Sequence, residues 1–214
     1  MKEVSPMAQT VFERVEKKYF VTEAQAARIA ARLTPDAYGS YTIRNLYYDT
    51  ADFALIRHSI EKPIYKEKLR LRSYGGEDVF IELKKKYDGV VYKRRARADF
   101  LDPLKPQTQI EREIGYFLLT HAVTPRVFLG YEREAYADGA LRVTFDRNLR
   151  YRASDLTLTR ADGAPLLFNA RVLMEVKIPG AMPLWLAHLL AEERIYPTSF
   201  SKYGTYFTEV ACCA

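Results

Sequence analysis

The chain has 214 residues, 48% of them apolar and 13% aromatic, which is enough for one large domain or two small ones with a real core. Its 33 lysines and arginines exceed its 27 acidic residues by six, a balance that points to a polyanionic partner without naming one. The only cysteines, Cys212 and Cys213, are adjacent and exclude a disulfide framework or thiolate metal site; the opening MKEVSPMAQT lacks an apolar signal core, and the longest mostly apolar run, Ala181 to Ala191, is too short to span a bilayer, so the expectation is a soluble cytoplasmic protein.

Thr10 to Val21 alternates as a strand, with Arg14, Glu16 and Lys18 on one side and Val15 and Tyr19 on the other. Thr22 and Gln25 have capping-box spacing, and Ala26, Ile29, Ala30 and Leu33 form the apolar stripe of a helix that ends before Pro35. Tyr38 to Tyr48 reads as a second strand, after which Asp49 can cap a short helix carrying Phe53, Leu55 and Ile56. Lys66 to Arg97 reads as three consecutive strands. In the first, Lys66, Lys68, Arg70 and Arg72 share a parity against Leu69 and Leu71. In the second, Phe80, Glu82, Lys84 and Lys86 oppose Ile81 and Leu83. In the third, Lys93, Arg95 and Arg97 oppose Arg94. Tyr74-Gly75-Gly76 and Tyr87-Asp88-Gly89 supply the turns.

Asp102 to Ala122 is predicted to be helical from about Thr108, with Ile110, Ile114, Phe117 and Leu118 at helical spacing. Pro125 to Ala135 is a strand with Tyr131 and Arg133 on one face. Ala140 to Arg150 is another, with Arg142, Thr144 and Asp146 opposing Val143 and Phe145, and Ala137-Asp138-Gly139 turns between them. In the last strand, Ala170 to Ile178, Leu173, Glu175 and Lys177 oppose Met174 and Val176. Pro183 opens a helix through Arg194, and Ser201 can cap a final helix striped by Tyr203, Tyr206, Phe207 and Val210.

Eight mostly antiparallel strands carrying charges on one parity and apolar residues on the other imply a closed α+β barrel, polar inside and wrapped outside by amphipathic helices, in a single domain spanning 1–214. The interior set would be Arg14, Glu16, Lys18, Lys68, Arg70, Arg72, Glu82, Lys84, Lys93, Arg133, Arg142, Asp146, Glu175 and Lys177, ten cations against four carboxylates. Such a lining stays folded when its charges are paired, hydrated or bound to anions, and the excess fits a polyphosphate-type anion. Arg94 and Arg97 fall at the tunnel mouth or in solvent.

These residues resemble the triphosphate tunnel metalloenzyme (CYTH-like) superfamily, and within it the catalytic domain of the vacuolar transporter chaperone (VTC) polyphosphate polymerases. The matching runs, in family order, are EKKY (Glu16 to Tyr19), YYDT (Tyr47 to Thr50), KLRLR (Lys68 to Arg72), IELK (Ile81 to Lys84), YKRR (Tyr92 to Arg95), YER (Tyr131 to Arg133), LRVTFD (Leu141 to Asp146), MEVK (Met174 to Lys177) and SKY (Ser201 to Tyr203). The resemblance implies an eight-stranded tunnel, a divalent metal (Mn²⁺ or Mg²⁺), and transfer of the ATP γ-phosphate to a growing polyphosphate chain. By position, Arg70, Arg72, Lys84, Arg133, Arg142, Lys177 and Lys202 would hold phosphates, with Lys18 and Lys93 in the same catalytic set. Lys202 would come from the final helix, whose N-terminus favours anions. Glu175 would be the metal ligand, with Glu16 and Glu82 as further candidates.

One departure narrows the choice. Hydrolases and cyclases of the superfamily usually carry Glu-x-Glu-x-Lys in the first strand, and here it reads Arg14-x-Glu16-x-Lys18, which favours a polymerase over a water-activating triphosphatase. The alternatives are an inorganic or nucleoside triphosphatase of the same fold, and a non-catalytic barrel that binds polyphosphate or nucleic acid. The carboxylates Glu82, Asp146 and Glu175 argue against a pure anion binder, and no nucleic-acid partner is expected. A membrane-coupled role would need partner proteins. No phosphate-cradling glycine loop is present. His58, His121 and His188 lack ligand-spaced partners. Most of the sixteen tyrosines are wall and core, with Tyr131 a candidate nucleobase contact.

Overall fold

The computed structural model describes residues 15–88, 90–98, 105–166 and 171–212. The predicted strand positions Thr10 to Arg14, the turn residue Gly89, and Cys213 lie outside them.

Among the described residues, period-two alternation becomes strand where it is read. The chain runs β1 (Val15–Val21), α1 (Glu23–Ala30), β2 (Thr34–Asp49), α2 (Ala54–Ile60), β3 (Tyr65–Ser73), β4 (Val79–Tyr87), β5 (Val90–Arg97), α3 (Gln109–Thr120), β6 (Thr124–Asp138), β7 (Leu141–Arg152), a two-residue β8 (Ala164–Pro165), β9 (Val172–Ile178), α4 (Leu184–Glu192) and α5 (Lys202–Tyr206), the last continuing into a π-helical turn, Phe207–Ala211. Local chemistry sets the ends. Thr22 and Gln25 close a capping box at α1, Thr108 and Glu111 another at α3, and the Ser201 hydroxyl accepts the Gly204 N–H at α5. Asp49 serves α2 from a distance. Its carboxylate accepts the N–H groups of Leu55 and Ile56 at 2.9 and 3.0 Å, while Phe53 at the N-cap takes a left-handed φ of 60°.

All pairings are antiparallel, in the order β1-β9-β7-β6-β2-β3-β4-β5, with β8 on β7. The expected closure does not occur among the described residues, since no ladder joins β1 to β5. The sheet is instead curled and open at a seam. One reason lies at β1, whose outer edge is already engaged: Tyr19 bridges Pro197, and the Thr198 N–H donates to the Lys18 carbonyl at 2.7 Å. The curl still brings the seam strands within electrostatic reach, as Lys84 of β4 feels Glu16 and Lys18 of β1.

Two apolar clusters cover the convex face. Val143, Phe145, Met174 and Val176 pack against Ile29 of α1 and Leu186, Leu189 and Leu190 of α4; Leu69, Ile81 and Leu83 pack against Ile114 and Phe117 of α3. The third cluster corrects the expectation that all helices pack outside. Cross-strand register sets Tyr47 opposite Arg70 and Asn45 opposite Arg72, so Ile43, Tyr47, Val127, Leu129 and Tyr131 share the face that carries the arginines. α5 lies on that concave face, with Tyr203 and Tyr206 packed into the cluster and Tyr203 stacked on Tyr47 at 4.8 Å. Apolar residues on part of the concave face need a cover, and α5 supplies it.

Candidate functional site

Directly opposed residues in antiparallel strands point the same way. The pairs Glu16↔Lys177, Lys18↔Glu175, Arg142↔Lys177, Thr144↔Glu175, Arg133↔Asp146, Tyr41↔Arg133, Tyr47↔Arg70, Arg70↔Glu82, Lys68↔Lys84 and Lys84↔Lys93 therefore put the predicted charged set on one concave face. Arg14 lies outside the described residues. Arg94, of opposite parity, points outward and binds Glu113 of α3 at 2.9 Å, while Arg97 pairs with Asp78 at 3.1 Å.

The charges sort into two clusters on facing walls. On the β3–β5 wall, Glu82 is 1% exposed and surrounded by cations. Arg70 donates to its Oε2 from Nε at 2.9 Å and Nη2 at 2.7 Å, Lys93 reaches Oε1 at 2.6 Å, and Arg72 and Arg95 stand at 3.8 and 4.0 Å. Burial would raise the Glu82 pKa, but Arg70, Arg72 and Lys93 outweigh it and hold the carboxylate ionised far below its usual range. Burial, offset by Glu82 and reinforced by Arg70, pushes Lys93 down to about 8; burial likewise takes Lys68 to about 8, with Lys84 and Lys18 adding to the effect against Tyr47.

On the β6–β7–β9 wall, Asp146 is fully buried and Glu175 is 7% exposed. Arg133 grips Asp146 with Nε–Oδ1 and Nη2–Oδ2 bonds, both 2.6 Å. Lys202 of α5 bridges the two acids, at 2.6 Å from Asp146 and 3.1 Å from Glu175, and Arg133 and Lys177 each reach Glu175 at 3.3 Å. Burial works against every charge here, yet Lys202, Lys177 and Arg133 pull Glu175 well below the carboxylate range, while Asp146 and Glu175 hold Lys202 above the usual lysine value. Lys202 thus reaches the concave face as expected, but through its own side chain; α5 has only five residues and is no anion-binding helix terminus.

Between the walls, Lys18 donates to the Phe200 carbonyl at 2.9 Å and Lys68 to Ser201 Oγ at 3.2 Å. Among the described residues Lys84 makes no ion pair, and burial, with Lys18 and Arg70 against Glu16 and Glu175, lowers its pKa. Arg142 is drawn to the rim by Asp36, at 3.3 Å. Tyr131 is enclosed: its hydroxyl accepts from Arg72 Nη2 at 3.2 Å and its ring lies beneath Arg133 and Lys202, which leaves no face for a nucleobase.

Two residues that the sequence did not single out as site members hold the key arginines. Asn45, fully buried, accepts from Arg72 Nε at 2.8 Å and donates to the Leu129 carbonyl at 2.9 Å. Tyr47 accepts from Arg70 Nη1 at 2.8 Å; burial would raise its pKa, but Arg70, Arg72 and Lys68 bring it down to about 8. Their shared parity on β2, in register with Arg72 and Arg70, was the available signal.

For a divalent metal, the adjacent carboxylates Glu16 and Glu175 are the candidate donors. Among the described residues no group of three or more histidine, cysteine or acidic residues could hold an ion. Both Glu82 oxygens are occupied by cations, and so are those of Glu175, Oε1 by Lys202 and Oε2 by Arg133 and Lys177, which an ion at Glu175 would have to displace. Glu16 and Glu175 are diagonal neighbours on β1 and β9 and repel each other, and Glu16 has Lys18 at 3.5 Å. Two carboxylates completed by substrate phosphate oxygens and water suit Mg²⁺ or Mn²⁺ chemistry.

No curated protein matches the chain. Solved structures of similar fold include a candidate adenylate cyclase from Bacillus halodurans (TM-score 0.58, 14% identity, covering 90% of this chain and 96% of that one), a candidate adenylyl cyclase from Hippeastrum with a dominant triphosphatase activity (TM-score 0.55, 15% identity, 92% and 96%), and the PH1819 protein of Pyrococcus horikoshii OT3 (TM-score 0.52, 14% identity, 92% and 98%). At these identities the likeness is one of fold. The family model for the VTC domain matches residues 13–210, nearly the whole length, and the chain belongs to the VTC domain family.

Proposed function

We propose that the concave face binds a triphosphate and transfers the terminal phosphoryl group of ATP to a growing polyphosphate chain. The observation that carries this reading is the state of the buried carboxylates: Glu82, Asp146 and Glu175 are each held by two or more cations, so none is poised as a base to activate water. A phosphate acceptor is already anionic and needs no base, only positioning and charge neutralisation. Arg70, Arg72, Lys84, Lys93, Arg133, Lys177 and Lys202 supply that neutralisation from facing walls, with guanidinium forks for non-bridging oxygens and lysines as adjustable point charges. Glu82 and Tyr47 fix Arg70, and Asn45 fixes Arg72, so the donors are oriented before substrate arrives.

Glu175, with Glu16 beside it, would hold a divalent ion, which when bound supplies further charge neutralisation on the phosphate oxygens. Glu175→Gln is expected to abolish metal-dependent turnover while leaving metal-free triphosphate binding equal or tighter, since an anion beside the phosphates is removed. Near-normal turnover at saturating Mn²⁺ would sink the assignment.

A triphosphatase is the second reading, favoured by the part-exposed Glu16, the carboxylate of the set least tied to cations. Incubating the protein with ATP and Mn²⁺ and separating the products distinguishes them: ADP with long polyphosphate supports polymerisation, and orthophosphate alone overturns it. Among the described residues no helix is long and apolar enough to cross a membrane.

A further inference from the structure

Beyond Arg72 the concave face turns aromatic. Tyr74 follows β3, Phe80 stands opposite Arg72 on β4, and β2 brings Tyr41 and Tyr38 to the same mouth. The rings touch in series: Tyr38 to Tyr41 at 6.3 Å, Tyr41 to Tyr74 at 6.4 Å, Tyr74 to Phe80 at 6.2 Å. Guanidinium groups lie over them, Arg95 at 3.6 Å from the Phe80 centroid and 5.1 Å from that of Tyr74, and Arg72 at 5.6 Å from Tyr74. Packing accounts for Tyr41 and Tyr74, which border the inner apolar cluster, but not for Tyr38, which is 78% exposed.

The placement of Tyr38 is built into the backbone. Between Pro35↔Tyr136 and Ser40↔Glu134, β2 advances five residues while β6 advances two. The surplus forms a bulge in which the Tyr38 N–H donates to Asp36 Oδ1 at 3.0 Å and Gly39 takes a φ of 60° that a side chain would resist. Bulges of this kind re-aim a side chain beside a site.

The geometry points to this mouth as a nucleobase subsite for a nucleoside triphosphate, with the base stacked among Tyr38, Tyr74 and the Arg95–Phe80 pair. The inference rests on the triphosphate reading of the concave face and adds the class of group that the chain carries. Phe80 and Arg72 lie two residues along their strands from Glu82 and Arg70, about 7 Å, a gap that a ribose can bridge between phosphate and base. Rings and guanidinium planes offer faces rather than a pattern of donors and acceptors, so selection is by stacking area, purine over pyrimidine, and tolerant among purines.

The test is calorimetric titration of ATP, CTP and inorganic triphosphate into the protein, Tyr38→Ala and Phe80→Leu. ATP affinity is expected to fall about five- to tenfold in each variant, CTP less, and triphosphate by less than about twofold. Equal losses for ATP and triphosphate, or ATP binding unchanged in both variants, overturn the subsite. Binding of neither ligand by the unsubstituted chain overturns the triphosphate reading and this inference with it, whereas triphosphate binding with no response of ATP to either substitution overturns this inference alone.

Discussion

The two carboxylate clusters on the facing walls use the same chemistry and are built differently. Around the buried Glu82 the cations come from β3 and β5, the neighbours of its own strand β4, and the outer two reach water, Lys93 being 43% and Arg95 40% exposed at the side chain. Around Asp146 and Glu175 the pairing is drier and depends on Lys202, which arrives from α5, about fifty-six residues beyond Asp146 in the chain, 202 less 146. The first cluster is a local product of hairpin register, and the second is a tertiary assembly. A local cluster open to water should tolerate the loss of a member, and a buried one should not.

The sharpest break of that comparison is Asp146→Ala. It leaves Arg133 and Lys202 buried with a charge too few, and denaturant unfolding should show a loss of about 3–5 kcal/mol. Glu82→Gln should lose only about 1–3 kcal/mol in the same measurement, because its cations can turn to solvent. Equal losses would erase the distinction.

Ligand binding sharpens it from the other side. Arg70→Ala should weaken triphosphate binding by about 1.5–3 kcal/mol by titration, the scale of a charge-assisted hydrogen bond. Its stability should change less, since Lys93 still holds Glu82.

The third outcome is a pH dependence of opposite sign in stability and in binding. Lys68 and Lys93 titrate near 8 in the folded chain and near 10.5 when unfolded. Between those values the unfolded chain carries more protons, so stability of the free protein should rise with pH over roughly 8 to 10.5. Of the two, Lys93 belongs to the phosphate-binding set and acts there charged, so triphosphate affinity should fall as pH passes about 8, approaching a tenfold loss per pH unit. Affinity unchanged from pH 7 to 9 would remove Lys93 from the phosphate site. The smallest effect is that of Asn45→Ala, about 1 kcal/mol on triphosphate affinity, through a loosened Arg72.

The charged face was legible because alternation has a period of two and cations recurred on one parity through Lys68, Arg70, Arg72, Lys84 and Lys93. Shared register then carried Arg133, Asp146, Glu175 and Lys177 to the same face. The Lys202 bridge was legible as a position but not in its partners, since nothing local fixes where α5 lands. That α5 enters the concavity follows from Ile43, Val127 and Leu129, which share the arginines' face and were not singled out in the sequence. The bulge at residues 36–39 and the β1–β5 ladder missing among the described residues were invisible, because the first needs the pairing register of β2 with β6 and the second the distant segment at Pro197 and Thr198 that engages β1.

That missing ladder makes the width of the concavity an electrical quantity. Lys84 faces both Glu16 and Lys18 across a seam that, among the described residues, no ladder fixes, so the balance of that attraction and repulsion sets its spacing and dissolved ions moderate it within a Debye length of about 8–10 Å at ordinary salt. A bound polyanion would then act as a clasp between the two edges, drawing them together as it is held.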